Sequence, residues 1–332
     1  MGLLIIFMQK AIGQGIGILY GALGEILTEK SGNLNLGIPG MMYMGGIAGL
    51  IGAFLYENSS AAPNGAVGVL ISFLCAFSCA ALGGLVYSVL TITLRANQNV
   101  TGLALTTFGV GFGNFFGGSL SKLAGGVGQI SVAVTGAAFK KQIPVLSGFG
   151  AVGQMLFSYG FLTYLAIILA LVLAFFLGKT RKGLNLRAVG ESPATADAAG
   201  INVTVYKYLA TCIGAGLSGI GGLYYVLDYN QGIWATTGQI EALGWLAVAL
   251  VIFTTWKPLN CIWGAYLFGM LYWLYQFLPS ILGIKVASYV TDLIQMVPYV
   301  VTIIVLVVVS FRKKKENQPP ESLGLSYFRE ER

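Results

Sequence analysis

Apolar residues run along this chain in blocks of about 20, the length that crosses a bilayer as a helix, and polar residues gather between the blocks. In order, the blocks predict about nine spans, or eight to ten allowing for the ends: near Leu3–Gly24, Gly37–Tyr56, Ala66–Leu94, Val100–Leu120, Ser158–Gly178, Tyr208–Leu227, Leu243–Trp256, Leu259–Leu282 and Leu293–Phe311. Gln9 and Lys10 on the first imply that one of its sides faces protein, and its short apolar start is a poor signal peptide. The pattern fails most clearly over Leu23–Met44, where Glu25, Glu29, Lys30, Asn33 and Asn35 crowd beside Gly32, Gly37, Pro39 and Gly40. Glycine and proline there predict a broken helix. In lipid, broken backbone must be buried in protein or line a wet cavity; the alternative is a solvated loop between two helices.

Composition agrees with the pattern. Of 332 residues, 56% are hydrophobic and only 9% charged, against roughly 25% charged in soluble domains. An all-α, polytopic membrane protein is expected, with domain 1–311 in the bilayer. The 47 glycines suit close helix packing. A net charge of +7 reflects basic residues beside apolar runs, and so topology rather than nucleic-acid binding. Lys179, Arg181, Lys182, Arg187 and Lys207 mark segment 179–207 as cytoplasmic, and Arg312 to Lys315 mark the tail likewise. Arg95 and the break then also lie at the cytoplasmic end, the N-terminus lies outside, and segment 121–157 is an external connection with a short surface helix. Its Lys122, Lys140 and Lys141 run mildly against that orientation. The low hydrophobicity of tail 312–332 predicts a flexible segment. The chain has no histidine, which removes the commonest general base and metal ligand. Cys75, Cys79, Cys212 and Cys261 fall in apolar runs, so neither disulfides nor a metal site is expected.

Three short patterns imitate chemistry. Gly178-Lys179-Thr180 ends like a phosphate loop, but Leu173 stands where its first glycine belongs. Gly214, Gly216 and Gly219 have dinucleotide-loop spacing inside an apolar run, where helix packing explains them better. Asn58, Asn99 and Asn202 begin Asn-x-Ser/Thr triplets, which recur by chance. The polar residues Asn33, Asn35, Gln98, Asn99, Thr101, Asn114, Asp228 and Glu241 are candidates for a solute path, because polar groups are costly in lipid; Trp245 adds an aromatic face. Ser192 and Pro193 start a two-turn helix that Gly200 can end. Such a helix is either a lever for a partner or a bare surface turn.

Two long stretches carry a resemblance: ALGEILTEKSGNLNLGIPGMMYMGG (22–46) and LRAVGESPATADAAGINVTVYKYLA (186–210). They resemble bacterial ABC-importer permeases of the ribose and branched-chain amino-acid permease family, nearest to the nucleoside-uptake branch whose members partner a basic-membrane-protein-type lipoprotein. LGWLAVALVIFTTWKPLNCIWGAYLFG (243–269) is similar to that family's penultimate region, although TTWKP departs from its more usual Gly followed by a basic or polar residue. The resemblance implies a type II importer permease in the bacterial cytoplasmic membrane, without catalysis of its own. It would work with a related second permease, a cytoplasmic ABC ATPase that binds ATP and magnesium, and an external solute-binding lipoprotein. Glu191, Ser192, Pro193, Ala194, Thr195, Ala196, Asp197, Ala198, Ala199 and Gly200 would be the coupling loop, and the solute a nucleoside. A permease for ribose or another simple sugar is the alternative within the family. An ion-gradient-driven secondary transporter and a scaffold without transport are alternatives outside it.

Overall fold

The computed structural model describes residues 2–123, 132–141, 157–234, 238–282 and 318–329, with single residues between 130 and 155 and between 290 and 307. Its helices are α1 (Gly2–Glu29), α2 (Ile38–Ser59), α3 (Gly65–Ser88, continued by a π turn over Val89–Thr93), α4 (Gln98–Leu123) and α5 (Ala133–Phe139). They continue as α6 (Phe161–Lys179), α7 (Arg181–Glu191), α8 (Pro193–Ala198), α9 (Val203–Leu223, continued by a π turn over Tyr224–Tyr229), α10 (Gln239–Phe253) and α11 (Pro258–Leu282). The first eight expected spans all coincide with helices; the ninth falls largely outside the described residues. Among the described residues, five helices, α1, α2, α3, α6 and α9, are long and apolar enough to cross a bilayer, and the 15-residue α10 is a shorter apolar helix.

Helix starts follow local chemistry. Asn64, Thr180 and Asn202 each place a side-chain oxygen 2.9–3.1 Å from a free first-turn N–H, at Ala66, Gly183 and Val205, which satisfies groups that have no intrahelical partner. Thr180, the last residue of the phosphate-loop look-alike, is thus the cap of α7, and Asn202 of the Asn-x-Thr triplet is the cap of α9.

Burial separates the central helices from the peripheral ones. The most apolar stretches of α2 and α9 are 72% and 78% buried within the chain, while those of α3 and α6 are 28% and 33% buried. Accordingly α2 packs against α3, α4 and α9, and α1 against α9, α10 and α11. Glycine makes these crossings close: Gly45 meets the backbone of Gly219, Gly222 meets the Met42 carbonyl, Gly24 meets Gly214, and Gly40 meets Gly109. Gly214, Gly216 and Gly219 are therefore packing surfaces, the last two set against Phe77 and Ala80. A Cβ at position 222 would lie 2.7 Å from the Met42 carbonyl carbon, whereas one at Gly111 would meet nothing within 4 Å. Gly222→Val should therefore reduce the yield of monodisperse chain several-fold by size-exclusion chromatography, and Gly111→Ala should leave it unchanged.

The two ends of the bundle differ. One gathers the break at residues 30–37, the α3–α4 turn with Arg95, helices α7 and α8, the turn at Thr254–Lys257, and residues 318–329. The other holds the α2–α3 turn, α5 and the end of α9. Helix α5, expected as a surface helix, instead packs on the bundle: Phe139 is buried and stacked on Phe161, with centroids 5.5 Å apart, and the Thr135 N–H donates to Glu57 Oε1 at 2.7 Å.

Candidate functional site

At the first end the break is held by side chains from four helices. Gly32 turns the chain with φ +89°, and residues 33–37 then run without helical hydrogen bonds until α2 begins. The Leu34 N–H donates to Gln98 Oε1 at 2.7 Å, and the Leu34 carbonyl accepts from the Tyr87 hydroxyl at 2.5 Å. The Asn35 N–H donates to Glu25 Oε1 at 3.2 Å, Thr106 Oγ1 donates to the Leu36 carbonyl at 2.8 Å, and the Gly37 N–H donates to Asn35 Oδ1 at 2.9 Å. Asn33 Nδ2 reaches across to Thr211 Oγ1 at 3.0 Å. Buried backbone needs such partners.

Seven of the path candidates fall into three groups. Asn33, Asn35 and Gln98 are buried at the break, where all three hydrogen-bond within the protein. Asn99 and Asn114 stand exposed on α4, and Glu241 and Trp245 are half-buried on α10. Glu29 is buried and accepts a hydrogen bond from the Trp256 indole N–H, while Lys30 lies 6.0 Å from the same ring. The departure at TTWKP thus ties the α10–α11 turn to α1. Thr255 and Trp256 both adopt positive φ, 54° each, a conformation uncommon for side chains of this kind and one that glycine takes freely. Burial, with Arg187 nearby, holds the Lys30 pKa below the usual lysine value, against the opposing pull of Glu191 and Glu29.

Beside the break, α8 starts as expected. Ser192 Oγ accepts from the Thr195 N–H at 3.4 Å, and Gly200 follows with φ +82°. Ala196 packs inward with Val189 and Val203, whereas Ala194, Thr195, Ala198 and Ala199 are exposed. Helix α7, which continues almost directly from α6, packs on this short helix, which also meets the start of α9.

The opposite end holds a cavity of about 530 Å3 between α1, α5, the start of α6 and the π turn of α9. Lys10, Lys140, Tyr159, Tyr224, Asp228 and Tyr229 line it. Asp228 is 6% exposed, and its Oδ2 has no hydrogen-bond partner among the described residues. Gly160 lies so close that a Cβ there would strike this oxygen. Tyr229 stacks on Tyr225 with centroids 5.3 Å apart and planes at 16°, and Lys10 Nζ lies 5.4 Å from the Tyr229 centroid. The Tyr225 hydroxyl donates to Gln239 at the head of α10, the helix that carries Glu241 and Trp245. Of these groups, Asp228 was legible as a polar residue in an apolar run. Lys10 was legible as a residue that faces protein; the tyrosines were not, because ordinary packed or interfacial aromatics look the same in sequence.

A helical bundle with a broken span, a short helix at one end and a polar cavity at the other defines a multi-pass membrane permease. The chain belongs to the family described as the branched-chain amino acid transport system / permease component, which matches residues 7–306. It is similar to a Haloferax volcanii protein described as a candidate glucose ABC transporter permease, at 35% identity over 255 residues, 76% of this chain and 72% of that one. The nucleoside ABC transporter permease protein NupC of Lactococcus lactis is 30% identical over 290 residues, 87% of each chain. The guanosine ABC transporter permease protein NupQ of Bacillus subtilis is 32% identical over 255 residues, 75% of each. No solved structure matches the chain.

Proposed function

We propose that this permease carries nucleosides inward as the membrane subunit of an ATP-driven importer. The observation that carries the choice of solute is the cavity at Asp228. A nucleoside offers a planar base to tyrosine rings and a ribose diol whose hydroxyls donate to a carboxylate. Burying Asp228 Oδ2 without a hydrogen-bond partner among the described residues is costly, and a solute that donates to it offsets that cost on binding. Two of the similar permeases are named for nucleosides, which supports the same reading. The relative described for glucose favours a second reading, a sugar permease, since sugar hydroxyls also suit a carboxylate. Sugars lack the aromatic plane.

In this account a lipoprotein delivers the solute to the cavity end. A second, related permease completes the path, with Glu241, Trp245, Asn99 and Asn114 on the walls and the Asn33–Asn35–Gln98 break at its inner end. ATP and magnesium belong to partner ATPases, which grip the 191–200 loop and switch the bundle between outward- and inward-facing states. Direction requires that the solute bind the two states differently. The test is competition against labelled guanosine uptake in cells that express the chain with its partners. Unlabelled uridine or inosine should suppress uptake while glucose and ribose do not; suppression by glucose alone would replace this reading with the sugar permease.

A further inference from the structure

Residues 318–329, where low hydrophobicity predicts a flexible tail, follow a defined course across the same end of the bundle as the coupling loop. The Ser322 N–H and Oγ both donate to the Gly190 carbonyl, at 3.1 and 2.5 Å. The Gly324 N–H donates to the Gly32 carbonyl at 3.2 Å, and Gln98 Nε2, whose amide oxygen holds the break, reaches the Leu325 carbonyl at 3.5 Å. The Arg95 guanidinium lies 4.4 Å from the centroid of the Phe328 ring. Finally the segment meets α8: the Tyr327 hydroxyl donates to Asp197 Oδ2 at 2.9 Å, and Arg329 Nε lies 3.1 Å from the same oxygen.

We propose that residues 318–329 are the second half of the surface that the ATPase grips, and that they position α8 and tie its movement to the break. The proposal rests on the ABC-importer reading above. Helix α8 has six residues, too few to hold its shape alone, and the only fully buried side chain it contributes is Ala196. Tyr327 enlarges that contact, because its ring packs against the small cluster of Val189, Ala196 and Val203 while its hydroxyl holds Asp197. Arg329 is 76% exposed, and exposed ion pairs contribute little, so Tyr327 is the principal positioning residue and Arg329 steers. The segment also joins the end of α7, the break at Gly32 and the start of α4. A push on α8 therefore has a second route to the break, besides the close contact of Gly190 at the end of α7 with the Lys30 backbone. Tyr327 and Arg329 both reach Asp197 on α8, the helix on which Ala194, Thr195 and Ala198 are exposed, so a groove that receives α8 meets the segment too.

The test uses the full importer, with its ATPase, second permease and lipoprotein, in proteoliposomes. It compares the wild-type chain, a chain ending at Asn317, Tyr327→Asp and Arg329→Ala. Two quantities are read: ATPase recovered with the chain, and solute moved per ATP hydrolysed. Truncation and Tyr327→Asp should each lower both several-fold while the chain stays monodisperse. Tyr327→Phe, which keeps the ring, should recover most of the loss, and Arg329→Ala should lower both quantities less than Tyr327→Asp does. Wild-type values for Tyr327→Asp would overturn the proposal, as would a truncated chain whose ATP hydrolysis rises with coupling intact, since the segment would then be a brake. If the truncated chain does not fold, Tyr327→Asp decides. Failure of the wild-type chain to recover any ATPase would refute the importer reading itself, a result distinct from normal recovery with an indifferent tail.

Discussion

Solute uptake falls by more than about tenfold in an Ala198→Arg chain, while the amount of chain in the membrane is unchanged. Ala198 is exposed on α8 and faces away from the cluster of Val189, Ala196 and Val203, so arginine there has room in the isolated chain and should not disturb folding. The cost arises only on docking. Disrupting the centre of a packed interface costs about 2 kcal/mol or more, and about 1.4 kcal/mol is a factor of ten in an equilibrium. Ala194→Arg, exposed one turn earlier, should behave in the same way. Ala196→Arg is a different experiment: its side chain would enter the buried cluster, and the loss would include the fold of the loop. Uptake at the wild-type rate in Ala198→Arg, with membrane level confirmed by immunoblot, would remove α8 from the coupling path.

The second large effect concerns Asp228. Replacing it with asparagine keeps the shape but removes the charge, and a hydrogen bond to a charged group is worth about 1.5–3 kcal/mol. The apparent affinity for nucleosides should therefore fall about 10- to 100-fold. The loss should depend on the sugar: 2′,3′-dideoxynucleosides, which cannot donate two hydroxyls, should compete poorly in the wild type and about as well as ribonucleosides in Asp228→Asn. Stability should move the other way. Asp228 Oδ2 is buried without a partner among the described residues, and an amide costs less to bury than an unpaired carboxylate. The variant should melt no lower than wild type. A variant that loses stability and uptake together, with the ribose preference intact, would make Asp228 structural.

What the sequence made legible was local. Hydropathy blocks located the helices because a bilayer imposes length and polarity on each span independently. Glycine, proline and asparagine at 32–40 announced the break, and Ser192, Pro193 and Gly200 announced α8, because caps act within a few residues. Partnerships between distant residues were not legible. Asn33 is a path candidate in the sequence, and nothing there announces that its Nδ2 donates to Thr211 on α9. Gln98 looked the same, and it holds the Leu34 backbone. A polar side chain in an apolar chain must find a partner, and composition does not say whether that partner is protein or solute. The course of residues 318–329 was not legible for a related reason. Ser322, Gly324 and Tyr327 are held by hydrogen bonds and one ring contact, which a hydropathy average does not register. The cavity at Asp228 depends on the π turn of α9 meeting α1 and Gly160, and no sequence period marks that meeting.

The central claim is that this chain moves nucleosides inward on energy supplied by ATP, and uptake under separated energy sources tests it most directly. Cells with and without the gene are given labelled guanosine, uridine, ribose and glucose, and the assay is repeated after the proton gradient is collapsed while ATP is maintained. The account predicts gene-dependent uptake of the nucleosides that survives the collapse. Uptake abolished by the collapse would contradict it in favour of an ion-driven transporter, and gene-dependent uptake confined to ribose or glucose would contradict the choice of solute.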